Sequence, residues 1–343
     1  MPANGRYVAG MGPSSDRRQH DDKNKIETMR MRIIATMILL ATGLTGLTQS
    51  PPQAEISNGI VRARFYLPDT ANGYYRATRF DWSGVMPSLE HAGHSYFGQW
   101  FPRYAPTIHD AIMGPVESFS PLGYGDGDTF VQIGVGVLVR PDSAAYSPFR
   151  YYRIRDAGKW VIRKGLRQVE FRQTVAGYVY TKTVSLTRGK PQLVITHRLR
   201  NTGSRPIETE VFDHNFFVTD SQTIAPGIVL KFPFPLEAEQ ARGLNLAAIR
   251  GDSISILRPL KINESMYAIL HGYGPMASDY DIRLENHITG AAVRIRADRP
   301  LSKLIYWGSV KTLCPEPYIH VSVAPGRTFS WTLYYDLYTV NPY

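Results

Sequence analysis

The chain has 343 residues, 43% of them hydrophobic, with a formal net charge of +10 and 21 Tyr, 14 Phe and 5 Trp. That is enough apolar material for a sizeable core, while the single cysteine, Cys314, excludes an intrachain disulfide and a cysteine-based zinc cluster. Lysines and arginines alternate with acids instead of forming blocks, so nucleic-acid binding has little support and no nucleic-acid partner is predicted.

Residues 1–28 are polar and aperiodic, and are expected to be disordered or to precede a true start at Met29 or Met31. From Met29 the chain reads MRMRIIATMILLATGLTGLTQSPPQAE: a basic pair at Arg30 and Arg32, an apolar run Ile33–Leu47, and a polar stretch ending at Ala54. That order matches an export signal over 29–54, because the apolar run is short for a membrane span and no stop-transfer charges follow it. The expected location is periplasmic or extracellular, without stable membrane insertion once the signal is cleaved.

From Glu55 onward, runs such as GIVRARFYLP, QVEFRQTVAG, YVYTKTVSLTRG, QLVITHRLRNTG, SMYAILHGYG and AAVRIRADRP alternate or nearly alternate apolar with polar residues and end in the turn residues Gly or Pro. The nearest approach to a helix, PLEAEQARGLNLAAI, is interrupted by Gly243. No linker or fixed-period repeat divides 55–343, which predicts one all-β domain of two large packed antiparallel sheets. The C-terminal run TFSWTLYYDLYTV is predicted to lie inside a sheet. Between Gly73 and Gly127 clean strand runs thin out and Gly, Pro, His and Trp accumulate, which suits a binding surface.

The candidate chemistry begins in QLVITHRLRNTGSRPIETEVFDHNFF, where Asp213, His214 and Asn215 stand at the mouth of an apolar strand. Three such side chains need protein partners or a polar ligand if buried. In a regular strand Asp213 and Asn215 share one side and His214 takes the other. Imidazole titrates near neutrality, which suits proton transfer. In TLCPEPYIHV, Glu316 is flanked by Pro315 and Pro317, which interrupt a hydrogen-bond ladder; it is either a solvated carboxylate on an edge strand or bulge or a pre-positioned acid–base group. Arg79 in RFDWSG, and Trp100, His109, Asp110 and Glu117 in FGQWFPRYAPTIHDAIMGPVESF, supply the mixture of charge and aromatic surface that a sugar needs. Arg79, Trp100, His109, Asp213 and Glu117 are taken as the substrate-binding set. His91 and His94 lack a helical frame and a carboxylate at a recognised spacing, so no metal is predicted. No GxGxxG loop points to a cofactor, and none is predicted.

The order GPVESF, VFDHNFF, TLCPEP and VAPGRTFSWTLYYDLY resembles the aldose 1-epimerase (galactose mutarotase-like) superfamily over nearly all of 55–343. The resemblance implies a β-supersandwich with a sugar in an open cleft, worked on by a histidine and a glutamate. By that likeness His214 is the acid, Glu316 the base, His109 the second histidine near the ring oxygen and Arg79 the substrate-binding arginine. The pair would then converge on one sugar ring from opposite sides. Asp213 stands where the family pattern has asparagine, and Phe216 where a hydroxylated aromatic is common. Two alternatives stay open: glycoside cleavage, by hydrolysis with Glu316 and Asp213, Glu117 or Asp110 or by elimination at a uronate, and a non-catalytic carbohydrate-binding or envelope protein.

Overall fold

The computed structural model describes residues 50–342. The extension 1–28 and the apolar run of the expected export signal lie outside these residues. The end of that signal does not: strand β1 (Gln53–Ser57) pairs with β2 (Val61–Tyr66) from Gln53 onward, so a cut after Ala54 would remove the first two residues of β1.

Among the described residues, twenty-three strands build four antiparallel sheets. The largest runs in the order β16 (Ala247–Arg250), β17 (Ser253–Ile256), β14 (Ile228–Lys231), β19 (Asp281–Asn286), β20 (Ala291–Ala297), β23 (Thr328–Thr339), β12 (Gln192–Asn201), β11 (Tyr178–Leu186), β10 (Gln168–Val175), β9 (Lys159–Lys164). A six-stranded sheet follows the order β15 (Glu237–Arg242), β18 (Ser265–His271), β21 (Lys303–Ser309), β22 (Thr312–Val323), β13 (Ile207–Phe216), β5 (Gly114–Phe119). Two smaller sheets join β1 and β2 to β3 (Val85–His91) and β4 (His94–Ser95), and β6 (Thr129–Gln132) to β7 (Gly136–Val139) and β8 (Ile154–Asp156). The predicted all-β architecture of large antiparallel sheets is what forms, with the C-terminal β23 between β20 and β12. Among the described residues no helix is long and apolar enough to cross a membrane.

Alternation decides which side chains the two large sheets enclose. In β11 every second residue is buried (Tyr178, Tyr180, Lys182, Val184, Leu186), and the same period in β12, β13, β22 and β23 fills one continuous apolar core. Lys182 falls on this inward face and is fully buried, a placement its charge would not suggest. A second cluster, including Phe80, Trp82, Ile112, Phe216 and Cys314, covers the other face of the six-stranded sheet.

Glu316 does not sit on an edge strand. β22 keeps its register with β21 straight through Pro315 and Pro317, opposite Tyr306 and Leu304. On its other side the pairing with β13 stops at Phe212 and Tyr318. Residues two apart in a strand direct their backbone groups to the same neighbour, so both missing proline N–H groups fall on the β13 side.

Candidate active site

His214 shares the outer face of the six-stranded sheet with Phe212 and Phe216. Its ring stacks on Phe216 at 3.7 Å between centroids and 8° between planes, with the edge of Phe80 at 5.6 Å and Trp307 at 6.0 Å. Trp100 stacks in turn on Phe216 at 4.9 Å, and its indole N–H donates to the carbonyl of Ile112 at 3.0 Å. Glu316 reaches the same place from β22: its Oε1 lies 3.2 Å from His214 Nε2, with the two side chains 9% and 4% exposed. The pair therefore stands side by side in contact and does not approach a ring from opposite sides.

This apolar setting changes the charge states. Burial lifts Glu316 to about 7, with Arg79 acting against the rise. Burial also drives His214 well below the ordinary imidazole value, and the positive charge of Arg79 adds to that. Nδ1 of His214 is buried without a hydrogen-bond partner. Near neutrality the imidazole is therefore neutral, while the Glu316 carboxyl lies near its own midpoint and can hold or release a proton.

Arg79 sits in an ion pair with Asp110, its guanidinium between the rings of Phe80 at 4.6 Å and Phe149 at 4.8 Å. Its Nε is buried and unpartnered. His109 extends the row, with Nε2 3.0 Å from Asp110 Oδ2 and its ring edge-on to Phe149 at 5.4 Å. His214, Glu316, Arg79, His109 and Trp100, five of the predicted site residues, thus belong to one neighbourhood.

No family model and no curated protein matches this sequence. Solved structures do. The Slr1438 protein of Synechocystis superposes with a TM-score of 0.54 at 14% identity, covering 85% of this chain and 97% of that one. A GalM/aldose epimerase homologue from C. elegans gives a TM-score of 0.54 at 14% identity, over 85% of this chain and 100% of that one. The fold is galactose mutarotase-like.

Two predicted substrate-binding residues are elsewhere in this mutarotase-like fold. Glu117 and Asp213 stand directly opposite each other in the β5–β13 register, on the face turned toward the ten-stranded sheet. Glu117 is 1% exposed and holds both Lys182 Nζ and His197 Nε2, the latter at 2.6 Å. Asp213 meets the hydroxyl of Tyr335. Both assignments are corrected for one reason: alternation carries these carboxylates into the core, where their partners are protein groups. Asp81 and Trp82 of RFDWSG are buried as well, Asp81 against Ser83 and Tyr180, and Trp82 donating to the carbonyl of Ala77 at 2.8 Å. Hydrolysis by paired carboxylates accordingly loses Asp213 and Glu117 as partners of Glu316 and keeps only Asp110, already bound to Arg79.

Phe80, Phe149 and Trp307 were not singled out in the sequence. Phe80 was within reach as the neighbour of Arg79. Trp307 is brought in by pairing alone, since its register places it opposite Cys314, two residues from Glu316. Phe149 lies between β7 and β8, where no periodicity marks it. Among the described residues no group of three His, Cys, Asp or Glu is arranged to hold a metal ion. His94 instead pairs with Asp220 at 3.0 Å, and His91 Nδ1 lies 3.2 Å from the carbonyl oxygen of Ile60.

Proposed function

We propose that the protein opens and recloses the cyclic hemiacetal of a sugar, exchanging its anomers as an aldose 1-epimerase does. The observation that carries this reading is the contact between His214 and Glu316, a neutral base beside a carboxyl that titrates near neutrality, both enclosed by aromatic rings. A hemiacetal presents two oxygens on one carbon, the C1 hydroxyl and the ring oxygen, so two adjacent proton-transfer groups address both from one side. His214 Nε2 takes the proton from the C1 hydroxyl while Glu316 gives its proton to the ring oxygen. The bond between C1 and the ring oxygen breaks, the C1 carbonyl forms, and the pair becomes imidazolium and carboxylate. After rotation about the C1–C2 bond, the ring hydroxyl attacks the other face of C1 and returns its proton to Glu316, while His214 returns the other to O1. No net charge enters the site at any step, which matters where a lone buried charge is expensive.

Arg79 would hold sugar hydroxyls through its free Nε while Trp100 and Trp307 bound the site; this assigns the carbohydrate as the partner without fixing which one. In the same reading the segment 29–54 exports the domain, and fractionation of expressing cells would place it outside the cytoplasm. The test of function follows the approach of pure α- and β-anomers from a panel of hexoses to equilibrium by polarimetry or NMR. Acceleration by the protein, reduced by about 10²-fold or more in His214→Ala and in Glu316→Gln, is expected. Rates equal to those of buffer for every sugar would end the proposal.

A further inference from the structure

Resting on the proposed anomer exchange, we infer that Asn215, with Tyr335 and Asp213 behind it, is a positioning device that sets the separation of His214 and Glu316. The two strands that carry the pair are hydrogen-bonded up to Phe212 and Tyr318, and they meet again only at the bridge between Phe217 and Leu313. In the interval between, residues 213–216 face 314–317, and Pro315 and Pro317 have no N–H to offer. Nothing in the backbone ladder fixes the distance between the strands at the place where the proposed chemistry needs it fixed.

Asn215 fills that interval. Its Nδ2 donates to the carbonyl of Pro315, next to Glu316, at 3.0 Å, and to the carbonyl of Asp213, next to His214, at 3.1 Å. Both amide protons are used, and each goes to the backbone of a residue adjoining one member of the pair. The other end of the amide, Oδ1, accepts from the hydroxyl of Tyr335 at 2.8 Å, and the same hydroxyl touches Asp213 Oδ2. A tyrosine has one hydroxyl proton. With that proton on Asn215 Oδ1, the contact to Asp213 requires the aspartate to be the donor. Burial, with the nearby charge of Glu117, raises Asp213 to about 7 and favours the protonated form, and its Oδ1 is buried without a partner. The hydrogen bonds then run in one direction, from Asp213 to Tyr335 to Asn215 to Pro315. Asn215 and Tyr335 are fully buried, so water does not compete for the amide.

The test compares Asn215→Ala and Tyr335→Phe with the parent protein in three measurements: kcat and KM for anomer exchange, the titration of the His214 imidazole by 15N NMR, and thermal melting. Misplacement by a fraction of an ångström to an ångström is expected to lower kcat by about 10²-fold in Asn215→Ala and by about tenfold in Tyr335→Phe, with KM little changed. The His214 titration should move in both variants. A core residue that only stabilises the fold would lower the melting temperature and leave kcat and the imidazole titration where they are, and that result overturns the inference. If Asn215→Ala does not fold, Tyr335→Phe, which keeps the ring, decides. If the parent protein accelerates no anomer exchange, the function falls, and the NMR titration still decides whether Asn215 and Tyr335 govern the pair.

Discussion

Two buried histidine–glutamate pairs lie on opposite faces of the six-stranded sheet, and they end in opposite states. On the inner face, His197 stacks on Trp331 at 4.5 Å and meets Glu117 at 2.6 Å, with Lys182 Nζ against the second carboxylate oxygen. On the outer face, His214 meets Glu316 at 3.2 Å, and among the described residues no lysine forms an ion pair with that carboxylate. Burial pushes both glutamates upward. Lys182, and His197 after it, overcome burial at Glu117 and bring it down to about 2, whereas Arg79 acts on Glu316 too weakly to prevent a rise to about 7. Between these two glutamates, a cation at contact distance, and not the depth of burial, decides which is ionised at neutral pH. The fold makes room for that cation: Gly84 has φ +79°, and a Cβ there would stand 2.9 Å from Lys182 Nζ. The lysine also donates to the carbonyl of Ser83 at 3.0 Å.

The largest break in this contrast is Lys182→Met. Removing the cation leaves Glu117 with His197 as its remaining partner, and Asp81, 3.9 Å from Nζ, without its counter-charge. Breaking a buried pair in this way costs about 3–5 kcal/mol. Urea denaturation measures it, and a loss below about 1 kcal/mol would show that the inner cluster does not depend on the lysine. Next in size are the opposite pH slopes of the two glutamates. Glu316 is raised from 4.5 to about 7, so between those values the folded state holds a proton that the unfolded state has lost, and stability falls as pH rises. Glu117 is lowered from 4.5 to about 2, so its contribution is complete above pH 4.5 and is lost as pH falls toward 2. Asp81 and Asp213, both raised to about 7 by burial, slope in the same sense as Glu316, so each glutamine variant is compared with its parent at every pH. Relative to the parent, Glu316→Gln should gain stability from pH 4.5 to 7, and Glu117→Gln should lose least near pH 2. Equal slopes for the two variants would remove the distinction between the pairs.

The fold was legible in the alternation, because one-face-apolar strands leave few ways to bury themselves other than sheet on sheet. The side on which Asp213 and Asn215 would fall was legible for the same reason, and both do meet Tyr335. Glu117 shows where that logic stops. GPVESF is buried at every position, so no periodicity told the face of the glutamate, and its partners Lys182 and His197 come from two other strands. The proline pair around Glu316 signalled a broken ladder but not which neighbour lost it; that depends on β21 pairing, which local sequence does not encode. The contact between His214 and Glu316, and the opposite shifts of their titrations, depend on register across β13 and β22 and on burial by Phe80, Phe216 and Trp307. A sequence names those residues without placing them.

The smallest expected effect sharpens the outer half of the contrast. Lys303 lies at the rim, partly exposed, with Nζ 4.9 Å over the ring of Tyr318, and its charge favours the ionised form of Glu316 less than Arg79 does. If a cation's proximity decides the state of a buried carboxylate, then a more distant and better solvated one should act in the same direction, but weakly and subject to salt. Lys303→Ala should therefore move the Glu316 titration upward, by less than Arg79→Gln does, and change the anomer-exchange rate at pH 7 by less than about threefold, with the difference disappearing in high salt. Carboxyl 13C NMR of Glu316 against pH measures the shift. A displacement larger than that of Arg79→Gln, or one indifferent to salt, would mean that Lys303 reaches the pair by a route other than its charge through solvent, and the rule drawn from Lys182 would not extend to this side of the sheet.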